Sequence, residues 1–319
     1  MDKFLIKPKS LSVGFNIMNG QYFFDTLSLY DKYIKEYFFS VSEGLCGESY
    51  NPGLFIKTLK NFNTYNIPAN IIFNNIYSFN NYEEIINKLK SIVNVKSVTI
   101  LHQEQAELIR TKFPDLEIHL SVRFFDKGKF STNIAPIKSC KGIVDVINVS
   151  PSYSYNDVKL IDKIHDYEMK VKILVNEGCI INKSDNYCQF DGFNETTCTI
   201  NPFSSLPCQS ICIKVRAAYP WTQLCTNYIY KENLKYIDYD IIKISGRILN
   251  INRLTNQLTY WTSPSKTQFL NLRDEGPVDI SNKYNAFMEY IETRSKCKGF
   301  CYTCKKCKDF YNILTGKNN

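Results

Sequence analysis

The chain of 319 residues predicts an α/β fold, a TIM-type (β/α)8 barrel, on three observations. Eight short apolar runs recur between residues 12 and 245, several of them apolar almost throughout, as parallel strands covered on both faces are. Amphipathic stretches of helical period separate them, giving a repeated β-α order. Polar residues collect just past the C-terminal ends of the runs, where barrels of this type carry their chemistry. A doubly wound open sheet is the alternative that the same alternation allows.

The strand-like runs are 12–17, 36–41, 69–74, 97–101, 117–122, 144–149, 171–175 and 241–245. Helical stretches follow at 25–35, 52–65, 82–93, 104–112 and 156–167; in the third of these Ile85, Ile86, Leu89 and Ile92 share one face. The barrel is assigned to 1–250. Between the seventh and eighth runs lies a cysteine-rich insertion, 178–230, too long for a simple connection and therefore expected to be functional. A C-terminal extension, 251–319, contains a Ser/Pro turn at 263–265, a helix at 282–293 and a cysteine tail.

The ring of polar residues at the strand ends comprises Asn16, Ser40 with Glu43, Asn74, His102, Arg123, Asn148, Asn176 with Glu177, and Arg247. Together they imply a polar pocket. Asn16, Asn74 and Asn176 are expected to contact a bound molecule, Arg123 and Arg247 to anchor an anionic group, and His102 to serve as general acid or base. Of the other two histidines, His119 falls within a strand and His165 within a helix, and both read as structural. G-x-S-x-G, H-E-x-x-H, P-loop and G-x-G-x-x-G motifs are missing, which leaves serine-hydrolase, zinc-protease and nucleoside-triphosphatase readings without support.

Cysteine carries the sharper signal. Six of the 12 cysteines, Cys179, Cys188, Cys198, Cys208, Cys212 and Cys225, fall in the insertion. Four more, Cys297, Cys301, Cys304 and Cys307, form a C-x3-C-x2-C-x2-C tail, and Cys46 and Cys140 stand apart. No signal-peptide pattern or apolar span of membrane length is present, so a cytoplasmic protein without membrane association is expected, whose thiols stay reduced and open to metal. The wide spacing in the insertion suits a [4Fe–4S] cluster gripped by a folded loop, and the tail suits a second [4Fe–4S] cluster, with zinc as the alternative there. The formal charge is +8, concentrated in the tail, where Lys298, Lys305, Lys306 and Lys308 alternate with the cysteines and offset thiolate charge; DNA binding is not expected.

The V-N-E-G-C179 turn, the spaced cysteines after it and the I-D-Y-D-I-I-K-I-S-G-R247 segment resemble the collagenase-like peptidase family, which includes proteins of anaerobic ubiquinone hydroxylation and tRNA uridine hydroxylation. The resemblance covers roughly residues 10–250. It implies a TIM-type barrel with a [4Fe–4S] cluster whose ligands map to Cys179, Cys188, Cys208 or Cys212, and Cys225, with Cys46 as a ligand in some members. The family's arginine-bearing cysteine segment stands here as C208-QSI-C212-IKVR216, with the arginine displaced, and the tail is an addition. The expected function is an iron–sulfur enzyme carrying out redox or hydroxylation-type modification of a small molecule, RNA or peptide. The alternatives are an accessory electron-relay subunit acting with a protein partner, and a peptidase.

Overall fold

The computed structural model describes residues 6–15, 19–40, 59–60, 65–73, 82–121, 135–149, 158–176, 224, 229–245, 250–272, 276–296 and 305–316. Eight parallel strands close on themselves in sequence order: β1 Leu11–Gly14, β2 Ile34–Ser40, β3 Ala69–Phe73, β4 Val95–Ile100, β5 Glu117–Leu120, β6 Val146–Val149, β7 Lys170–Leu174 and β8 Ile241–Ile244, with β8 pairing back onto β1. All eight expected runs are strands, and closure removes the open-sheet alternative.

The strands divide by alternation. Val13, Tyr37, Phe39, Ile71, Val98, Ile118, Ile147, Val171, Ile173 and Ile242 belong to one large apolar core shared with the helices outside the barrel. The intervening residues face inward. Successive side chains on a strand point to opposite sides, so a fully buried strand can be greasy on one face and polar on the other.

The helices are α1 Gln21–Leu29, α2 Tyr82–Lys90, α3 Gln103–Lys112, α4 Ala135–Ser139, α5 Val158–Asp166 and α6 Ile251–Thr262. The expectation of a helix over 25–35 is displaced. Phe23, Phe24 and Leu27 bury the helix earlier, and the Tyr33 and Ile34 N–H groups both turn back to the Tyr30 carbonyl, releasing Ile34 and Lys35 into β2. The 52–65 stretch lies largely outside the described residues; Leu59, within it, is fully buried. Leu254, Leu258 and Trp261 of α6 pack into the barrel core, so the eighth β-α unit runs past residue 250.

At the N-terminal rim one device occurs twice. Asp145, just before β6, accepts from the Ile118 N–H of β5 and is held by Arg110 of α3. Asp240, just before β8, accepts from the Val171 N–H of β7 and lies 3.1 Å from His165 Nε2 of α5. Each carboxylate thereby ties neighbouring strands to a helix, the structural role read for His165.

A second, smaller core is built from Leu224, Tyr230, Leu270, Ile280, Phe287, Tyr290, Ile291, Phe310, Tyr311 and Leu314. It joins the end of the β7–β8 connection to an antiparallel hairpin, β9 Phe269–Leu272 and β10 Gly276–Asp279, and to α7 Tyr284–Ser295 and α8 Lys306–Thr315. The Tyr290 hydroxyl donates to the Leu224 carbonyl at 2.6 Å, and its ring stacks on Phe310 at 4.5 Å. No helix among the described residues is long and apolar enough to cross a membrane.

Candidate functional site

The barrel lumen holds Ser12, Glu36, Asn70, Ser97, Thr99, His119, Ser121, Asn148 and Lys172, all buried, where branched apolar layers are the norm. A β-bulge opposite Leu11 and Ser12 brings Lys35 and Glu36 side by side on β2, and a second, opposite Ala69 and Asn70, adjusts β4 ahead of Ser97.

Glu36 is the hub. Its Oε1 accepts from the Lys172 ammonium and from Ser12 Oγ (2.8 Å), and its Oε2 accepts from Ser97 Oγ (2.7 Å). The Asn70 amide donates to Ser97 Oγ at 2.7 Å and its Oδ1 accepts from Thr99 at 2.7 Å. His119 Nδ1 faces two donors, Asn70 Nδ2 at 3.2 Å and Lys172 Nζ at 3.3 Å, so it accepts and the ring proton sits on Nε2. That proton is donated to Glu117 at 2.9 Å, and Glu117 at the rim also receives Lys35 and Lys170, each at 2.8 Å.

Burial alone would push the Glu36 carboxyl up, but the ammonium of Lys172 and the Lys172 and Ser97 hydrogen bonds hold it down at about 2. Burial, reinforced by the neighbouring ammonium of Lys172, depresses His119 and keeps it neutral. Burial also draws Lys172 below the ordinary lysine value, against the pull of Glu36. Glu36, Glu117 and His119 lie close enough to share a metal ion, within 4.8 Å, but the ammonium of Lys172 already bonds Glu36 and abuts His119. A second cation there would face a like charge, so the cluster is an ion-pair network rather than a metal centre.

Nearer the mouth, Phe38 lies beneath two ammonium groups, Lys243 at 4.5 Å and Lys172 at 6.0 Å from the ring centroid. Lys243 is half-buried, unlike Lys172. Asn148 Nδ2 donates to the Leu120 carbonyl across the β5–β6 seam.

Of the expected mouth residues, His102 caps α3 directly after β4, and the Gln105 side chain accepts from both the Leu101 and His102 N–H groups. Asn176 uses both ends of its amide on the Ser245 backbone, at 3.0 and 2.7 Å, closing the β7–β8 seam. That fixes the mouth and leaves the amide engaged by the protein rather than turned to a ligand. Asn16, Asn74, Arg123 and Arg247, with Glu43 and Glu177, lie outside the described residues, as do Cys46, Cys179, Cys188, Cys198, Cys208, Cys212, Cys225, Cys297, Cys301 and Cys304.

Two cysteines are described. Cys140 is buried beyond α4, and burial pushes its thiol up to about 11, the behaviour of an inert core thiol. Cys307 is half-buried in the first turn of α8, and Phe310, Tyr311 and Leu314 of the same helix anchor that helix in the second core.

No family model matches the chain, and no curated protein matches it. Solved structures do. The tryptophan synthase A-subunit from the hyperthermophile Pyrococcus furiosus is similar over 81% of this chain and 99% of its own, at 8% identity and a TM-score of 0.45. The N-terminal domain of a putative aldolase from Bacteroides vulgatus is similar over 51% and 63%, at 12% identity and a TM-score of 0.33.

Proposed function

We propose that the protein is a barrel enzyme that uses an iron–sulfur cluster, held at the C-terminal mouth, for redox or hydroxylation-type modification of a substrate seated in the polar pocket below. The observation that carries the reading is topological. The connection bearing six cysteines leaves the C-terminal end of β7, the face on which barrels of this class do their chemistry, and returns to β8. The pattern resembling the collagenase-like peptidase family, V-N-E-G-C179 onward, begins within five residues of the end of β7 and supports the same assignment.

In this reading Cys179, Cys188, Cys208 or Cys212, and Cys225 supply the thiolates, and the tail cysteines hold a second centre with Cys307 as its last ligand. The clusters, when bound, supply electron transfer. The chain's own residues shape the floor. Phe38 and the Lys172–Glu36–His119 network give it a rigid, charged base, and Asn176 fixes the mouth between β7 and β8. Arg123 and Arg247 remain the proposed anchors for an anionic group, His102 the proposed acid or base, and Asn16 and Asn74 the proposed ligand contacts.

Anaerobic purification with iron and acid-labile sulfide analysis tests this. Two clusters give about eight irons per chain. The paired substitution Cys179→Ser/Cys188→Ser removes the mouth cluster, whereas Cys140→Ser, at an inert core thiol, leaves iron unchanged. A colourless protein loaded with zinc overturns the reading. A cluster-bearing protein that is reduced by dithionite yet turns over no small RNA, quinone precursor or peptide points to the accessory electron-relay role instead.

A further inference from the structure

Away from the lumen, where the barrel meets the second core, a carboxylate is buried without an ion-pair partner among the described residues. Glu232 lies in the 3-10 segment Lys231–Tyr236, between the cysteine insertion and β8, and has no exposed surface. Its Oε1 accepts from the Thr267 N–H at 3.0 Å. Among the described residues Oε2 has no hydrogen-bond partner, and neither do Thr267 Oγ or the Tyr284 hydroxyl. Thr267 leads into β9 and Tyr284 begins α7, so three elements supply the three oxygens. Thr267 bonds Glu232 directly, and Lys266, next to it in sequence, lies over the Tyr284 ring at 4.7 Å, which brings Tyr284 to the same corner; burial and the charge of Glu232 push its phenol up to about 12.

The adjacent cations form no ion pair with it, although the charges of Lys231 and Glu232 act on one another. Lys231 Nζ donates to the Ser263 and Ser265 carbonyls and lies over the Tyr260 ring at 5.1 Å; Lys266 Nζ lies over the Tyr284 ring at 4.7 Å. No ion pair to Glu232 occurs among the described residues. A dehydrated carboxylate with one oxygen lacking a donor is strongly unfavourable unless a cation or a proton meets it.

We propose that Glu232, Thr267 and Tyr284 form a buried site for one hard monovalent cation, sodium or potassium. An all-oxygen donor set selects hard cations over zinc or iron, and a single carboxylate among neutral hydroxyls matches a single positive charge. The bound ion would lock α7, which leads into the tail cysteines, against the segment that follows the insertion cysteines. It would thus hold the two cysteine-bearing parts of the chain in fixed relation. This site does not depend on the presence of iron.

Thermal unfolding of the full-length protein in sodium, potassium or choline chloride at equal ionic strength is the test. Stabilisation that grows with the concentration of one alkali cation over choline is expected, as mass action requires. Tyr284→Phe and Thr267→Val each remove one oxygen without altering the carboxylate and shift the half-saturating concentration several-fold upward; Glu232→Gln abolishes the dependence. Equal unfolding temperatures in all three salts overturn the proposal and leave ordered water or a protonated carboxyl at the site. So does a cation dependence that survives Tyr284→Phe and Thr267→Val unchanged, because the ion then binds elsewhere.

Discussion

Replacing Lys172 by Met strips the central carboxylate of its counter-ion while nearly preserving side-chain volume. Glu36 would keep only the Ser12 and Ser97 hydroxyls and a neutral imidazole at 3.8 Å. A carboxyl held at about 2 rather than at its ordinary 4.5 corresponds to about 3 kcal/mol of stabilisation at neutral pH. Removing one partner of a buried ion pair costs about 3–5 kcal/mol, so the two arguments agree in size. Lys172→Met is therefore expected to destabilise by about 3 kcal/mol or more, read as a lowered urea midpoint at unchanged slope. Glu36→Gln alone leaves the ammonium without its anion and is also destabilising. The double variant removes both charges and recovers most of the loss, giving a coupling energy of about 2 kcal/mol or more. A single-variant cost below about 1 kcal/mol, or additive single effects, would refute the view that this pair is ionised and interdependent.

The remaining expectations concern pH, the rim and the thiols. Because Glu36 is depressed in the folded state, its contribution is complete above pH 4.5 and is lost as pH falls from there towards about 2; acid titration of unfolding stability should show this loss, and Glu36→Gln should flatten it. His119 is depressed too, so folding disfavours its protonation, and stability should decline as pH drops below the ordinary histidine value of 6.5; the decline should be missing in His119→Gln. Asp145→Ala removes the acceptor for Ile118 N–H and the partner of Arg110, which should cost about 1–3 kcal/mol in thermal or urea unfolding. Cys140→Ser should lower stability, through a hydroxyl placed in an apolar site, without changing metal content, measured by elemental analysis.

The barrel was legible because its signal is carried by outward-facing residues such as Val13, Phe39, Ile71 and Ile173, which must be apolar to meet the helices. The lumen was legible in principle. Each strand carries a polar residue inside an apolar run: Ser12, Glu36, Asn70, Ser97, His119, Asn148, Lys172, Lys243. Read at a period of two, those positions trace one face of every strand and identify the network. Read as near-continuous hydrophobic runs, they look like exceptions, and His119 like a strand filler. What sequence could not supply is the pairing of Glu36 with Lys172 across 136 residues, because it depends on closure bringing β2 and β7 around one axis. The end of α1 was misplaced for a local reason: the turn from Tyr30 to Ile34 carries no Gly or Pro to announce it. The place of Cys307 in a helix anchored by Phe310 and Leu314 was not legible from the spacing of the tail.

Iron and sulfide quantification under argon, on the wild-type chain beside Cys179→Ser/Cys188→Ser and Cys301→Ser/Cys304→Ser, tests the central claim most directly. Two independent clusters predict about eight irons per chain, with each paired substitution removing about half. Iron content near zero in the wild type, or the same content in all three proteins, would contradict it.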